Sequence, residues 1–250
     1  MRGVLAVALC GCGFKPTAAV TAPVDSAPIL IDVAIDAQPP PDPCAGTLLC
    51  LTFDPNPLPA MLPNGGTAPV SAVLTNIVRG QGVTGGAAEL SSTSEIYVPS
   101  VPQLSGVLAY DYWIRIDQAP SVYGRAGVLD TGLSGFDSFY YVDPEGPQLR
   151  CSINSNYLYA PVTAFSGWTH VACSCDASSL TIYVNGVVVG TGNENCAAGA
   201  TSEGYGLEVG ADNIGGPGYT GDILQGALDD VRLYTTRLTA SQVCKLAGTC

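Results

Sequence analysis

Few residues of the sequence could carry out catalysis. His170 is the only histidine, so a Ser-His-Asp or Cys-His arrangement would have to use it. No Gly-x-Ser-x-Gly elbow accompanies it. Leu129-Asp130-Thr131-Gly132 has the form of an aspartic-protease triplet, but that chemistry needs two carboxylates that share a proton, and the sequence has no second copy. These residues favour a structural histidine and a turn after a strand.

Tyrosines are concentrated in two short segments that could bind a ligand. The segments are Phe139-Tyr140-Tyr141 and Tyr157-Leu158-Tyr159. Aromatic rings offer flat apolar faces to sugars or to protein side chains. In the alternative interpretation, alternate members pack in the core and the others lie on a β surface without a ligand. The candidate binding residues are Tyr140, Tyr141, Tyr157 and Tyr159.

The elements that must position these residues are strands. Trp168 to Cys175 and Leu180 to Val184 are two runs of β-forming residues around a polar turn, and Asn185-Gly186 then leads into Val187-Val188-Val189. An Asn-Gly pair between apolar runs is a strong hairpin signal. The pattern predicts an antiparallel meander with one face on a core.

Length and composition indicate one all-β domain that does not bind nucleic acid. The chain has 250 residues, of which 47% are hydrophobic, so it can bury a full core. Its 30 glycines and 19 prolines suit many short strands. The net charge of −12 argues against nucleic acid, because phosphate binding needs clustered lysines and arginines.

The N-terminus has the features of an export signal. Met1-Arg2 provides a positive charge, and a short apolar run leads to Leu9-Cys10-Gly11-Cys12. This ending resembles the bacterial lipobox, so residues 1–12 are a lipoprotein signal peptide with its lipobox cysteine. The resemblance implies that Cys12 is lipidated and becomes the first residue of the mature protein, and Gly13 after the cysteine implies the outer membrane. The alternative is an ordinary signal peptide. We expect an exported, lipid-anchored protein of a Gram-negative outer membrane or cell surface, touching the membrane through this lipid alone.

Residues 13–43 are rich in proline and alanine and contain few aromatics, so we expect a disordered tether. Residues 44–250 form the predicted domain. Its eight cysteines are an even set in an exported chain, which favours disulfides over metal ligands. Strand order favours the pairs Cys151–Cys173 and Cys175–Cys196. Four cysteines then pair locally or across the chain ends: Cys44, Cys50, Cys244 and Cys250.

Three motifs resemble one known family. They are Trp168-Thr-His-Val-Ala followed by Leu180-x-Ile-Tyr-Val-Asn-Gly, the opening Leu51-x-Phe53-Asp54, and Gly226-Ala-Leu-Asp-Asp-Val-Arg-Leu-Tyr234. Together they are similar to the laminin-G-like jelly rolls of the concanavalin A-like lectin/glucanase superfamily, over roughly residues 46 to 247. The resemblance implies an antiparallel jelly-roll β-sandwich. Thr239 to Gln242 is a capping box that predicts one short C-terminal helix.

The resemblance also bears on metals and catalysis. Relatives often hold calcium near the first and last strands, which makes Asp54 and Asp229 candidate Ca²⁺ ligands, although simple solvated carboxylates are the alternative. Glycosidases of the superfamily carry a Glu-x-Asp-x-x-Glu motif, and this sequence has none.

We therefore expect a non-catalytic, lipid-anchored module that binds carbohydrate or an envelope or extracellular protein, with calcium as the candidate cofactor. Two alternatives stay open. One is a divergent glycoside hydrolase or polysaccharide lyase on the same fold, and the other is a purely structural envelope protein.

Overall fold

The computed structural model describes residues 42–99, 104–132, 135–200, 205–213, 218 and 220–250. Cys12, the predicted signal segment and all but the last two residues of the predicted tether lie outside this part. Every count below refers to these residues. None of their helices is long and apolar enough to cross a membrane.

The described chain is built almost entirely of strands. In chain order these are β1 (Leu49–Leu51), β2 (Met61–Pro63), β3 (Ser71–Thr75), β4 (Val78–Gln81), β5 (Gly86–Leu90), β6 (Glu95–Val98), β7 (Ala109–Gln118), β8 (Arg125–Asp130), β9 (Phe136–Asp143), β10 (Gly146–Ile153), β11 (Asn156–Pro161), β12 (Thr169–Cys175), β13 (Leu180–Val184), β14 (Val187–Gly192), β15 (Leu207–Val209), β16 (Asp212–Asn213), β17 (Thr220–Gly221) and β18 (Gln225–Tyr234). One helix follows, α1 (Ala240–Leu246).

The strands form two large antiparallel sheets that pack face to face. The first sheet has the order β14-β13-β12-β7-β18-β5-β4, with β1 also paired to β18. The second has the order β11-β10-β9-β8-β15-β6-β3-β2. The small β16-β17 hairpin forms a separate two-stranded sheet. This architecture confirms the predicted jelly-roll sandwich, including the meander of β12, β13 and β14.

The core lies between the sheets and is lined by alternate residues of each strand. Tyr110 and Tyr112 of β7 are both fully buried there. A buried tyrosine needs a partner for its hydroxyl. The Tyr110 hydroxyl donates to the backbone oxygen of Asp137, and the Tyr112 hydroxyl lies 2.6 Å from Ser138 Oγ. These two bonds connect the sheets through polar groups as well as apolar packing.

Four disulfides link the described residues. Cys151 of β10 is joined to Cys173 of β12, with a Cα–Cα distance of 6.2 Å, so this bond crosses the core from one sheet to the other. A second joins Cys175 to Cys196. The remaining pairs are Cys44–Cys50 and Cys244–Cys250, each local rather than across the chain ends.

Helix α1 packs on the outer face of the first sheet. The capping box is confirmed: Thr239 accepts from the backbone nitrogen of Gln242, and the Gln242 side chain accepts from the Thr239 nitrogen. Val243 is buried in a small cluster with Tyr183 and Tyr234. The outer face of the second sheet is on the opposite side of the sandwich.

Candidate functional site

The outer face of the second sheet carries a group of aromatic and arginine side chains. Residues of β9 alternate, so Phe136, Ser138 and Tyr140 point into the core, whereas Asp137, Phe139 and Tyr141 point outward. The register places Arg150 between Phe139 and Tyr159, and Arg125 beside Tyr141. We call this group the tyrosine-arginine face; its members are Arg125 on β8, Phe139 and Tyr141 on β9, Arg150 on β10, and Tyr157 and Tyr159 on β11.

Three tyrosine rings of this face form a row in which the middle ring, Tyr159, contacts the other two. The ring centroids of Tyr141 and Tyr159 are 5.6 Å apart, and those of Tyr157 and Tyr159 are 5.9 Å apart. Adjacent ring planes differ by 63° and 79°. Tyr157 is 57% exposed and Tyr159 is 43% exposed. The rings therefore present a stepped apolar surface to solvent.

The two arginines stack on the aromatic rings. The Arg150 guanidinium carbon is 5.4 Å from the Tyr157 centroid and 6.0 Å from the Tyr159 centroid. Arg125 lies 4.8 Å over Phe139. Cations held over ring faces in this way are attracted by the ring quadrupole. Because both arginines cover it, Phe139 is only 3% exposed although it points outward.

The structure separates Tyr140 from the other three candidate tyrosines. Its side chain points into the core, where it is 2% exposed and its ring lies 5.2 Å from that of Phe165. The reason is the two-residue period of β9, which sends adjacent residues to opposite faces. Tyr140 must therefore be removed from the candidate binding residues, whereas Tyr141, Tyr157 and Tyr159 are brought together.

Ion pairs hold the arginines of this face in place. Arg150 Nη2 donates to Asp137 Oδ2 at 3.0 Å. Burial raises the pKa of Asp137 to about 6, against the opposing charge of Arg150. Arg125 donates from Nε to Asp222 and from Nη2 to Asp212. Sequence reasoning did not select either arginine, although both occupy outward positions of their strands.

The β16-β17 hairpin crosses the same outer face beside the tyrosine-arginine face. The Gly127 nitrogen donates to the backbone oxygen of Asp222 at 2.7 Å. A side chain at Gly127 would collide with the backbone of Ala211 and Asp212, so glycine is required for this close approach. The Gly218 nitrogen donates to Glu95 of β6. The hairpin thus covers β8 and reaches β6.

Glu208 of β15 is buried on this outer face. It lies opposite Asp130 of β8, is 0% exposed, and has no hydrogen-bond partner for either carboxylate oxygen within the described part of the chain. Burial, and then the charges of Glu95 and Asp130, raise its pKa to about 8. No sequence signal marked this residue, and because solvent cannot reach it, it does not touch a ligand.

His170 belongs to a buried network on the outer face of the first sheet. Its Nε2 lies 3.0 Å from Asp111 Oδ2, and the same carboxylate accepts from Arg232 Nη1 at 2.9 Å and from the Tyr234 hydroxyl at 2.7 Å. Both His170 and Asp111 are 0% exposed. No serine or cysteine donates to His170 among the residues that the structure describes. This geometry supports the structural role predicted for the histidine.

A family model for the concanavalin A-like lectin/glucanase superfamily, of the laminin-G type, matches residues 90–244. This segment is more than half of the chain and runs from β5 into α1. The chain belongs to this superfamily. A search of curated proteins gives no match.

Solved structures similar to this superfamily member include sugar-binding and toxin domains. Domain 4 of AbnA, a GH43 extracellular arabinanase from Geobacillus stearothermophilus in complex with arabinotriose, has a TM-score of 0.56 and 22% identity over 80% of this chain and 98% of that domain. The binding domain of Paraclostridial Mosquitocidal Protein 1 has a TM-score of 0.61 and 13% identity, over 82% of this chain and 52% of that one. The botulinum neurotoxin serotype G binding domain has a TM-score of 0.58 and 12% identity, over 81% of this chain and 50% of that one. At these identities the likeness shows the fold alone.

The two carboxylates expected to bind calcium in this superfamily both hold the turn between β4 and β5. Asp54 Oδ1 accepts from the Gly86 nitrogen at 3.0 Å, and Asp229 Oδ2 accepts from the Val83 nitrogen at 2.8 Å. Burial, and then the charge of Asp230, raise the pKa of Asp229 to about 7. Calcium takes about 6–8 oxygen ligands, and the described residues contain no group of three or more acidic, cysteine or histidine side chains suited to a metal. Each of the two carboxylates already uses one oxygen on a backbone N–H of the turn, and calcium binding by Asp54 and Asp229 stays a prediction.

From this geometry we expect calcium to leave the stability of the protein unchanged. A bound ion at about 100 times its dissociation constant would stabilise the fold by about 2.7 kcal/mol. Melting temperatures measured in millimolar calcium and in chelator should coincide. A rise with calcium that Asp54→Asn or Asp229→Asn removes would instead establish a calcium site at this turn.

Proposed function

We propose that the protein is an exported, non-catalytic module that binds carbohydrate through its tyrosine-arginine face. The observation that carries the proposal is the contact of three tyrosine rings on one outer face, two of them about half exposed. The arabinanase domain with bound arabinotriose and the toxin binding domains share the fold and support a binding role. A protein partner at the same face is the competing outcome.

The face suits sugars for a physical reason. Aromatic rings stack against the apolar C–H faces of sugar rings, and nearby guanidinium and hydroxyl groups bond their hydroxyls. The ion pairs of Arg125 and Arg150 fix these side chains before a ligand arrives, which lowers the entropy cost of binding. The stepped rings favour an oligosaccharide over a single sugar, because one sugar covers one ring.

A non-catalytic role fits the positions of the acidic groups. Glycoside hydrolysis needs two carboxyl groups that flank the scissile bond. Near the face, Asp137 is paired with Arg150, Asp212 and Asp222 are both paired with Arg125, and Glu208 is not accessible. We therefore expect oligosaccharides to be recovered uncleaved after incubation with the protein, which chromatography of the products would check.

Loss of the exposed rings should weaken binding. Tyr157→Ala with Tyr159→Ala should weaken affinity for a bound oligosaccharide at least about tenfold, since buried aromatic anchors contribute on the order of 2 kcal/mol. Isothermal titration on the oxidised chain measures the change, after a glycan array has identified a ligand.

The matched control is Val78→Ala, which removes an exposed apolar side chain from β4 of the other sheet. It should leave the affinity unchanged. Equal binding by the double tyrosine variant and the wild type would exclude this face as the site. If the protein binds no glycan on the array, the result would favour a protein partner at this face.

We also propose lipid anchorage through Cys12, supported by the lipobox resemblance of Leu9 to Cys12 and by the disulfides, which are typical of exported proteins. Palmitate labelling in a bacterial host should be lost in Cys12→Ser. Labelling that persists in this variant would contradict the assignment.

A further inference from the structure

Both guanidinium groups of the tyrosine-arginine face are already neutralised by the protein. Arg150 is paired with Asp137, and Arg125 is paired with both Asp212 and Asp222. Three carboxylates therefore face two guanidinium groups, and the face carries an excess of negative charge. An anionic ligand would have to displace an aspartate from its arginine before it gained a charge-assisted bond of its own.

Unpaired cations of the described residues lie elsewhere. Arg79 and Lys245 are the basic side chains without an ion pair there; they lie on β4 and on α1, which are both on the side of the first sheet. The full chain has a net charge of −12. A negatively charged surface repels negatively charged partners and slows their association with the protein. Within the described part of the chain, the basic side chains near the tyrosine rings, Arg125 and Arg150, are both paired already, so neither is free to compensate an incoming carboxylate or sulfate.

We infer that the tyrosine-arginine face selects uncharged oligosaccharides and discriminates against uronate-containing or sulfated ones. This inference rests on the proposed carbohydrate-binding function. An uncharged sugar stacks on Tyr157 and Tyr159 and exchanges hydroxyl hydrogen bonds while all three ion pairs stay intact. Its affinity has little dependence on salt, because binding does not change the number of paired charges.

The test compares a neutral arabino-oligosaccharide and a neutral gluco-oligosaccharide with oligogalacturonate of similar length, at low and at physiological salt. We expect at least one neutral ligand to bind, with affinity changed less than about twofold by salt, and the acidic ligand to bind at least about tenfold more weakly. Equal or tighter binding of oligogalacturonate would overturn the inference and leave carbohydrate binding in place. If no sugar binds, the proposed function falls and the inference falls with it.

A single substitution should reverse part of this preference. Asp222→Asn removes one partner of Arg125 and keeps the side-chain shape, and asparagine tolerates the positive φ of 45° at this position. The ratio of the affinity for oligogalacturonate to the affinity for a neutral sugar should rise roughly two- to fivefold. The control is Asp176→Asn, which releases Arg237, outside the tyrosine-arginine face. The ion pairs do not set the preference if Asp176→Asn also raises this ratio of affinities, or if Asp222→Asn does not raise it.

Discussion

Replacing Glu208 with glutamine should stabilise the protein by roughly 4 kcal/mol at pH 8, where each unit of pKa difference corresponds to about 1.4 kcal/mol. Glu208 is fully buried, and its carboxylate oxygens have no hydrogen-bond partner within the described residues. Its pKa is raised to about 8 in the folded chain, from an ordinary value of 4.5. Glutamine has the same shape and never ionises.

The direction of the pH dependence follows from linkage. A carboxyl whose pKa is raised by folding binds its proton more tightly in the folded state than in the unfolded chain. The contribution of Glu208 to the free energy of unfolding is therefore highest below pH 4.5, where the carboxyl is protonated in both states, and this contribution falls as the pH rises to about 8. The advantage of Glu208→Gln should therefore be absent at pH 4.5 and grow across this interval. Urea unfolding of both proteins at a series of pH values measures it.

Glu145→Gln is the matched control, because Glu145 is an exposed glutamate in the turn between β9 and β10, away from Glu208. It should not stabilise the protein at any pH. A Glu208→Gln variant that is less stable than the wild type at pH 8 would show that this carboxylate accepts hydrogen bonds in solution. A pH-independent effect would show that its ionisation is not coupled to folding.

Local patterns predicted the parts of the fold that depend on neighbouring residues. The Asn185-Gly186 pair fixes the turn between β13 and β14, and the Thr239 capping box fixes the start of α1, because each acts within a few residues. Tyr157 and Tyr159 share a face for the same reason, since strands have a period of two.

The composition of the binding face could not be predicted in this way. The two-residue period shows that Tyr140 and Tyr141 point to opposite faces, but not which of them enters the core. That depends on the pairing of β9 with β8 and β10, which also places Arg125 and Arg150 beside the rings. Register between strands is a long-range property, and the sequence contains no short-range signal for it.

Glu208 was missed for a related reason. Its sequence neighbours, Leu207 and Val209, enter the core, which predicts a solvent-exposed glutamate between them. The β16-β17 hairpin follows it in sequence and packs on β8 of the same outer face, and Glu208 is fully buried. The burial of Glu208 therefore depends on the position of the β16-β17 hairpin, which the two-residue period of a strand does not predict.

Removing the Cys151–Cys173 disulfide should destabilise the fold by about 3 kcal/mol or more. Its two half-cystines are 0% exposed and belong to different sheets, so the bond restrains the sandwich across its core. It spans a sequence separation of 22 residues, against 6 for Cys244–Cys250. A longer closed loop restricts the unfolded chain more, so the terminal disulfide is worth only about 2 kcal/mol.

The comparison therefore uses two double variants, Cys151→Ala with Cys173→Ala and Cys244→Ala with Cys250→Ala, each measured by urea unfolding. Alanine at the core positions also leaves a cavity between the sheets, which adds to the first loss. Because β10 carries both Cys151 and Arg150, a looser sandwich should also move Arg150 relative to the tyrosine rings and weaken ligand binding. The terminal variant should bind as the wild type does. Equal losses of stability in the two variants would show that the sheets are held together by core packing and not by this bond.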